Sequence, residues 1–297
     1  GLIFMSLIIY FKYNKIENFT KSFLLSKESA IVINNWFMMY FLAVVLIGTI
    51  YPIFLEVITT EKISVGPPYF NQLIIPFLIP FLFIMALGPK LDWIKNKQFK
   101  VKFTKIILFI ISVLISYLVA KNFNTQVLYS TILISSALYL FIISISDLKN
   151  HKLKLSQKIS HSAFSILIIS IILNSLLSEE VSVNLKQGEE KKLLNYLLKF
   201  ENISKMEIDN FTSLKAEIHV VQNDNKLKFY PELRLYKVPE TITSEADIKT
   251  NLFSDNLVVV NYLKDTDYLN IRYQKKPFML LIWLSASMLA VGGLIGL

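Results

Sequence analysis

Six apolar stretches recur along this chain, and they constrain its fold more than any other feature. An α-helix of about 20 apolar residues crosses the ~30 Å hydrocarbon core of a bilayer and satisfies its own backbone hydrogen bonds, which a lipid surrounding requires. The sequence therefore predicts a membrane all-α helical bundle. A shorter apolar stretch at 1–11 is interpreted as the end of a partial first helix. The six full stretches are 31–55, 70–89, 106–120, 127–146, 158–177 and 277–297.

The composition supports the same class of protein. The chain has 297 residues, of which 54% are hydrophobic and 13% aromatic, and its mean hydropathy is +0.50. These values are too apolar for a surface that faces only water. The sequence contains no cysteine, which excludes disulfides and thiolate metal sites within this chain. The sequence begins at Gly1 and offers no signal peptide to recognise, and the chain is expected to be the C-terminal piece of a longer protein.

The net charge of +9 indicates an orientation in the membrane. Lysines are concentrated in the loops 12–30, 90–105 and 147–158, whereas the alternate short loops contain only Lys62 and Lys121. The positive-inside rule makes the lysine-rich loops cytoplasmic. The excess charge follows from this topology, so no nucleic-acid partner is predicted. The lysines of the three loops are Lys12, Lys15, Lys21, Lys27, Lys90, Lys95, Lys97, Lys100, Lys102, Lys105, Lys149, Lys152, Lys154 and Lys158.

Residues 178–276 differ in kind from the rest of the chain. Their charges are balanced, and no run is long enough to span a bilayer. Period-two alternation of Val, Ile, Leu and Tyr is typical of half-buried antiparallel strands. We therefore predict three regions: transmembrane helices at 1–177, an inserted small β-rich domain on the outer, periplasmic face at 178–276, and a final helix at 277–297. The alternating stretches are KAEIHVV (215–221), LKFYPELRLYKV (227–238), NLVVVNYL (256–263) and YLNIRYQ (268–274).

The three histidines occupy different settings. His151 lies in a lysine-rich loop and is interpreted as solvated, and His219 alternates out of phase with its apolar neighbours and is predicted to face water. His161 lies at the start of an apolar segment, where ionisable groups are costly and mark functional sites. Neutral imidazole ligates iron, including haem iron. His161 is therefore either such a ligand or a histidine that packs between helices or lies at the membrane interface.

Other polar residues in the apolar segments are less specific. Asn34, Asn35, Ser135 and Ser136 are typical of hydrogen bonds between membrane helices. The sequence contains no recognisable nucleotide-binding loop, catalytic triad or carboxylate metal cluster. These residues alone leave the chemistry of the chain open.

Eight blocks of the sequence carry a resemblance to a known family. In order, they are SKESAIVINN (26–35), GTIYP (48–52), KISVGPPYFN (62–71), GPKLDW (88–93), SHSAFS (160–165), YPELRLY (230–236), SEADIKTNLFSD (244–255) and KKPFMLLIWLSASMLAVGG (275–293). These blocks resemble the CcmF family of haem lyases, which act in cytochrome c maturation. The resemblance covers nearly the whole chain and identifies it with the C-terminal part of that family.

The resemblance implies a function and a cofactor. A haem lyase attaches haem to the CXXCH thiols of apocytochrome c, and the position of His161 implies an axial ligand of a membrane haem b that serves as reductant. The second ligand is expected from the missing upstream part, without which activity of this piece is not expected. A non-catalytic membrane scaffold subunit that binds no haem is the alternative. A transporter is a third interpretation, although no inverted repeat indicates one.

The resemblance also implies partners and a location. The expected partners are the N-terminal half of CcmF, the haem chaperone CcmE, a CcmH-type apocytochrome-binding protein, apocytochrome c and membrane lipid. The chain is expected in a bacterial or mitochondrial inner membrane. Tyr69, Phe70, Arg234 and Tyr236 are candidates for docking of substrate or partner, and packing within turns and strands is the alternative for each of them.

Overall fold

Six helices and an antiparallel β-rich domain make up the part of the chain that the structure describes. All six helices are long and apolar enough to cross a membrane, and the predicted membrane bundle with an inserted β domain is confirmed. The stretch at 1–11 lies outside the described residues. The helices are α1 (Lys27–Thr59), α2 (Pro67–Leu87), α3 (Phe103–Asn122), α4 (Val127–Leu148), α5 (Leu155–Leu177) and α6 (Met279–Gly296). This computed structural model describes residues 26–59, 63–93, 103–123, 126–149, 153–222, 225–263 and 267–297.

The ends of α1 and α2 follow from local sequence. Ser26 precedes α1, and its Oγ accepts a hydrogen bond from the Ser29 backbone N–H at 3.2 Å, which satisfies one of the free donors of the first turn. Pro67 and Pro68 occupy the first positions of α2 after Gly66, where a missing N–H costs nothing. The GPP sequence therefore starts α2, and its prolines prevent this helix from extending further towards the N-terminus.

Small side chains fill the contacts between helices in the first part of the chain. Ala120 of α3 and Ala137 of α4 are fully buried, as is Ser136 beside it. The hydroxyls of Ser135 and Ser136 donate to Ile132 O and Leu133 O of their own helix, at 3.0 and 2.7 Å. The prediction of interhelical hydrogen bonds by these two serines is therefore wrong. Their contribution is small size, which lets neighbouring backbones approach closely.

The β domain contains two antiparallel sheets. The first sheet has the strand order β1-β10-β9-β8, and the second has the order β2-β3-β4-β6-β7 with β5 also paired to β4. The strands are β1 (Glu179–Leu185), β2 (Glu190–Leu193), β3 (Tyr196–Glu207), β4 (Phe211–Gln222), β5 (Asn225–Phe229), β6 (Glu232–Lys237), β7 (Glu240–Glu245), β8 (Asp247–Thr250), β9 (Ser254–Tyr262) and β10 (Leu269–Pro277).

The core of this domain comes from the alternation seen in the sequence. Along β9 every second residue is buried, because successive side chains of a strand point to opposite faces. The buried residues of both sheets form one hydrophobic cluster that includes Phe229, Val258 and Tyr273. β1 follows α5 directly, β10 leads directly into α6, and these two strands pair with Glu179 opposite Lys275. One end of the domain is thereby fixed at the ends of two membrane helices.

The chain forms two compact units, which divide within α5. One unit extends to Ser165, and the other runs from Ile166 to Ile295. The first contains α1 to α4 and the start of α5, and the second contains the rest of α5, the β domain and almost all of α6.

Candidate functional site

His161 lies in the second turn of α5, where its half-buried side chain lines a cavity of about 390 Å³. Apolar walls come from Ile31 of α1 and from Ile84 and Met85 of α2, and the amide of Asn34 adds a polar group. This volume is within the range of small-molecule and cofactor sites, which are mostly apolar with a few placed polar groups. All of these residues belong to the first compact unit.

The cavity brings together three sequence blocks that are far apart in the chain. SKESAIVINN contributes Ala30 and Asn34, GPKLDW contributes Gly88 and Pro89, and SHSAFS contributes His161. A Cβ added at Gly88 would lie 3.2 Å from the Ala30 Cβ, so a larger residue there would crowd α1. Three of the eight blocks on which the family resemblance rests therefore share a structural role around His161.

Backbone and ring contacts hold the first two blocks together. The Lys27 backbone N–H donates to Asp92 O at 3.0 Å, and the Lys27 ammonium lies 5.3 Å from the centre of the Trp93 ring. A cation over an indole face is attracted by the ring quadrupole. Lys27 also lines the cavity, so its positive charge lies at the same site as the imidazole.

An ion pair lies close to the site. Lys90 Nζ is 2.9 Å from Asp147 Oδ1, and each side chain is only 16% exposed. This pair joins the short 3₁₀ turn Gly88–Lys90 to the end of α4. The effective dielectric constant is lower at such partly buried positions than in water, so the pair helps to fix the turn that borders the cavity.

The imidazole of His161 is available to a ligand. Neither ring nitrogen has a hydrogen-bond partner among the described residues, whereas the backbone carbonyl accepts a long hydrogen bond of 3.5 Å from Ser144 Oγ. Phe164, one turn further along α5, packs edge to face on Phe81 of α2 at 5.8 Å and orients the helix. An unpaired imidazole on a mainly apolar cavity fits the chemistry of an axial haem ligand. Among the described residues that line this cavity there is no second histidine.

The other two histidines are not part of this site. His151 lies outside the described residues. His219 is only 5% exposed, so the prediction that it faces water is wrong. Its Nε2 is hydrogen-bonded to Glu217 Oε1 at 2.9 Å, and its Nδ1 lies 2.9 Å from Glu201 Oε1 at an angle outside hydrogen-bond geometry. The alternation did indicate the face opposite the core, but neighbouring long side chains cover that face.

Tyr69 and Phe70 contact the transmembrane helix before them. Their rings meet edge to face at 5.2 Å, and a Cβ added at Gly48 would lie 2.8 Å from atoms of both rings. GTIYP and KISVGPPYFN therefore pack against each other, with both aromatic side chains half-buried. This contact supports the packing alternative, and docking at these residues stays a prediction.

Arg234 and Tyr236 lie on the same face of β6, where they share a contact that the sequence did not reveal. Arg234 lies 5.3 Å from the ring centre of Phe211, and the Tyr236 ring is also 5.3 Å from it. Arg234 Nε is 3.2 Å from Glu232 Oε2. Phe211 joins the cluster because β4 and β6 pair with Phe211 opposite Tyr236, a register that the separate strand sequences do not specify.

Comparison with known proteins finds similarity to cytochrome c-type biogenesis proteins. Residues 176–277 match the family described as CcmF C-terminal beta-sandwich. The chain is 29% identical over 288 residues to the cytochrome c-type biogenesis protein CcmF of Pseudomonas fluorescens, covering 91% of this chain and 43% of that protein. It is 25% identical over 292 residues to the protein of the same name from Escherichia coli K12, covering 95% of this chain and 45% of the relative.

A solved structure extends the comparison to the fold. The chain matches a structure titled cytochrome c heme lyase CcmF with a TM-score of 0.69 at 15% identity, covering 92% of this chain and 46% of the other. The chain spans less than half the length of the relatives it matches. The resemblance to the C-terminal part of CcmF that the sequence predicted is confirmed, together with the class of integral membrane protein.

Proposed function

We propose, from the similarity of this chain to the C-terminal part of CcmF proteins along nearly its whole length, that it is the C-terminal portion of a haem lyase. Such an enzyme adds each thiol of a CXXCH motif in apocytochrome c across a vinyl group of haem. Each addition makes one carbon–sulfur bond and transfers the thiol hydrogen to carbon. The cysteine-free composition of this chain is compatible with that reaction, since the substrate supplies both thiols.

The convergence of three sequence blocks on the cavity around His161 is the observation that carries this proposal. His161 would hold the iron of a haem b as one axial ligand, with its neutral imidazole as donor. Ile31, Ile84 and Met85 would supply the apolar surface, and the ammonium of Lys27 is available for a porphyrin carboxylate. A haem at this position supplies electron transfer, and the polarity around an axial ligand adjusts its potential.

The chain's own residues would position the ligand in three ways. Phe164 packs α5 on α2 and so limits rotation of the helix that carries His161. The close approach at Gly88 brings GPKLDW to the cavity. The Lys90–Asp147 pair fixes the adjoining turn. The second axial ligand would come from the upstream part of the longer protein.

The same similarity supports proposals about location and partners. The chain would lie in a bacterial or mitochondrial inner membrane with the β domain on the periplasmic side. The N-terminal half of CcmF would complete the site, CcmE would deliver haem, and a CcmH-type protein would present apocytochrome c. These assignments agree with the lysine-rich loops on one side of the membrane.

The test uses this chain co-expressed with an N-terminal half. The pair is expected to show the spectrum of a low-spin b-type haem, and His161→Ala is expected to abolish or shift it and to reduce the yield of holocytochrome c. His161→Gly supplemented with imidazole is expected to restore the spectrum, because the added ligand can occupy the enlarged cavity. His219→Gln removes a histidine from the β domain instead, and it should leave the spectrum unchanged.

Two outcomes would count against the proposal. An unaltered spectrum and yield in His161→Ala would assign this residue to helix packing alone. The absence of any haem spectrum in the intact pair, with both parts stably inserted, would favour the non-catalytic scaffold subunit.

A further inference from the structure

The loop between β8 and β9 exposes two large apolar side chains. Leu252 is 73% exposed and Phe253 76% exposed. Asn251 shapes the loop, because its Oδ1 accepts hydrogen bonds from the backbone N–H groups of Phe253 at 2.9 Å and Ser254 at 2.8 Å. Local hydrogen bonds of this kind define a turn without help from a core. The two side chains are therefore presented outward by an ordered turn.

Direct contacts fix this turn at the ends of two membrane helices. The backbone N–H of Phe278, the residue before α6, donates to Phe253 O at 2.8 Å. The neighbouring carbonyl of Pro277 accepts a hydrogen bond from the Asn174 side chain of α5. Since α5 ends at Leu177, the turn lies where one span leaves the bilayer and the next enters it.

An open cavity of about 770 Å³ lies between the turn and these helix ends. Leu252 and Phe253 line one side, and Leu177 and Phe278 line the other. Lys275 and Glu179, which face each other in the β1–β10 pair, also line it and contribute one positive and one negative charge. Apolar walls beside charges of both signs match the boundary between acyl chains and polar headgroups.

The apolar surface of the turn continues onto the surface of α6. Leu281 and Trp283 lie in the first turns of α6 and are exposed, as expected for side chains that face lipid. The turn contacts Phe278, which is only three residues before Leu281. Large exposed apolar groups next to lipid-facing residues are most stable in the membrane interface, and aromatic rings favour that region in particular.

We propose that the Leu252–Phe253 turn inserts into the lipid interface of the leaflet in which α5 ends and α6 begins. The β domain then has a third attachment to the membrane, besides the two chain connections at Leu177 and Met279. The inserted turn limits tilting of the domain on its two connecting strands. This inference depends on the helix ends and the loop, and not on haem.

The absence of cysteine from this chain allows a direct test with single nitroxide labels in the 297-residue chain, alone and combined with the N-terminal half, in lipid vesicles. Labels at Phe253→Cys and Leu252→Cys are expected to lie about 5–10 Å below the phosphates. They should relax with dissolved oxygen much more than with a water-soluble nickel chelate. Val238 is 90% exposed between β6 and β7. Ser244 of β7 is hydrogen-bonded to Asn261, near the end of β9 that is far from the turn, and Val238→Cys should show the reverse preference.

Two results would overturn the proposal. A label at residue 253 that responds to the nickel chelate as strongly as the one at 238 would place the turn in water. A label protected from both reagents would show that protein, either a second copy or the upstream part, covers the turn. Each variant changes an exposed side chain, and normal vesicle insertion of all three would verify that the comparison concerns folded protein.

Discussion

The helices of the first unit and the β domain differ in the share of small residues that they bury. In the helices, the fully buried positions hold small side chains such as Ser112 and Ala137 as well as some large ones such as Leu140, and Trp36 is exposed. In the β domain the fully buried positions hold large side chains such as Phe229. The difference lies in the surroundings: lipid removes the advantage of burying apolar groups between helices and leaves close packing, while water favours their burial in the β domain.

A matched truncation should give the largest difference between the two regions. Phe229→Ala removes a fully buried ring from the β-domain core and is expected to lower its free energy of unfolding by about 3–5 kcal/mol. Phe54→Ala removes an exposed ring from α1, which is expected to change stability little because the ring contacts lipid. Thermal unfolding of the purified protein, followed by near-UV circular dichroism, would measure both. Equal losses would show that the exposed face of α1 is a protein contact.

The β domain should lose stability at alkaline pH. Burial raises the pKa of the Tyr273 phenol from 10.0 to about 12, so the folded protein retains a proton that the unfolded chain has lost. This contribution is complete below pH 10 and is lost as the pH rises from 10 to 12. A shift of this size corresponds to about 3 kcal/mol. Burial also raises the pKa of Tyr196, with its hydrogen bond to Glu179 as a second cause, which adds to the same trend.

The variant Tyr273→Phe separates this titration from general alkaline denaturation. At neutral pH it should cost about 1 kcal/mol, because the Tyr273 hydroxyl donates to Asn256 Oδ1 at 2.9 Å. Between pH 10 and 12 its stability should decline less steeply than that of the natural chain. Parallel pH profiles would exclude Tyr273 as the titrating group.

A larger side chain at a buried position tests whether close packing stabilises the helical region. Ala137→Leu introduces a large side chain where α4 has no free space and is expected to cost about 1–3 kcal/mol. Ala43 of α1 is exposed, so Ala43→Leu adds the same volume towards lipid and should have little effect. Loss of helicity with temperature in detergent would measure both variants. Tolerance at residue 137 would mean that the contact is looser than its burial indicates.

The sequence was sufficient for the elements whose surroundings impose a simple pattern. Apolar length indicated all six described helices, although α1 begins at Lys27 instead of residue 31 because Ser26 and Ser29 form its cap. Alternation indicated β9 and β10. Short or half-exposed strands such as β7 carry little alternation, and pairing in the sheet defines them instead.

The candidate site was only partly predictable. The sequence shows directly that His161 is an ionisable residue in an apolar segment. That His161 lines the same cavity as Ala30 and Gly88 depends on how the helices pack. His219 was wrongly predicted because alternation gives the face of a strand and not what covers it. Glu201 reaches the same face from β3, and the bulge between Phe200 and Asn202 changes the alternation near that position.

The smallest expected effect concerns the exposed face of the β domain, where stability and docking can be separated. The chain has two arginines, and each lies on a β strand beside a carboxylate: Arg234 is 3.2 Å from Glu232 and Arg272 is 3.4 Å from Glu180. The first pair is half-exposed and the second exposed. Ion pairs at a solvated surface contribute about 0–1 kcal/mol, so Arg234→Ala and Arg272→Ala should unfold at nearly the natural temperature. Arg234 also contacts Phe211 beside Tyr236, which makes a mixed aromatic and basic surface suited to a partner.

If that surface docks a substrate or partner, Arg234→Ala should lower holocytochrome c yield at an unchanged protein level, and Arg272→Ala should not. Equal yields in the two variants would assign Arg234 to strand packing. The water-facing side of the β domain would then contact only solvent, as the lipid-facing side of the helices contacts only lipid.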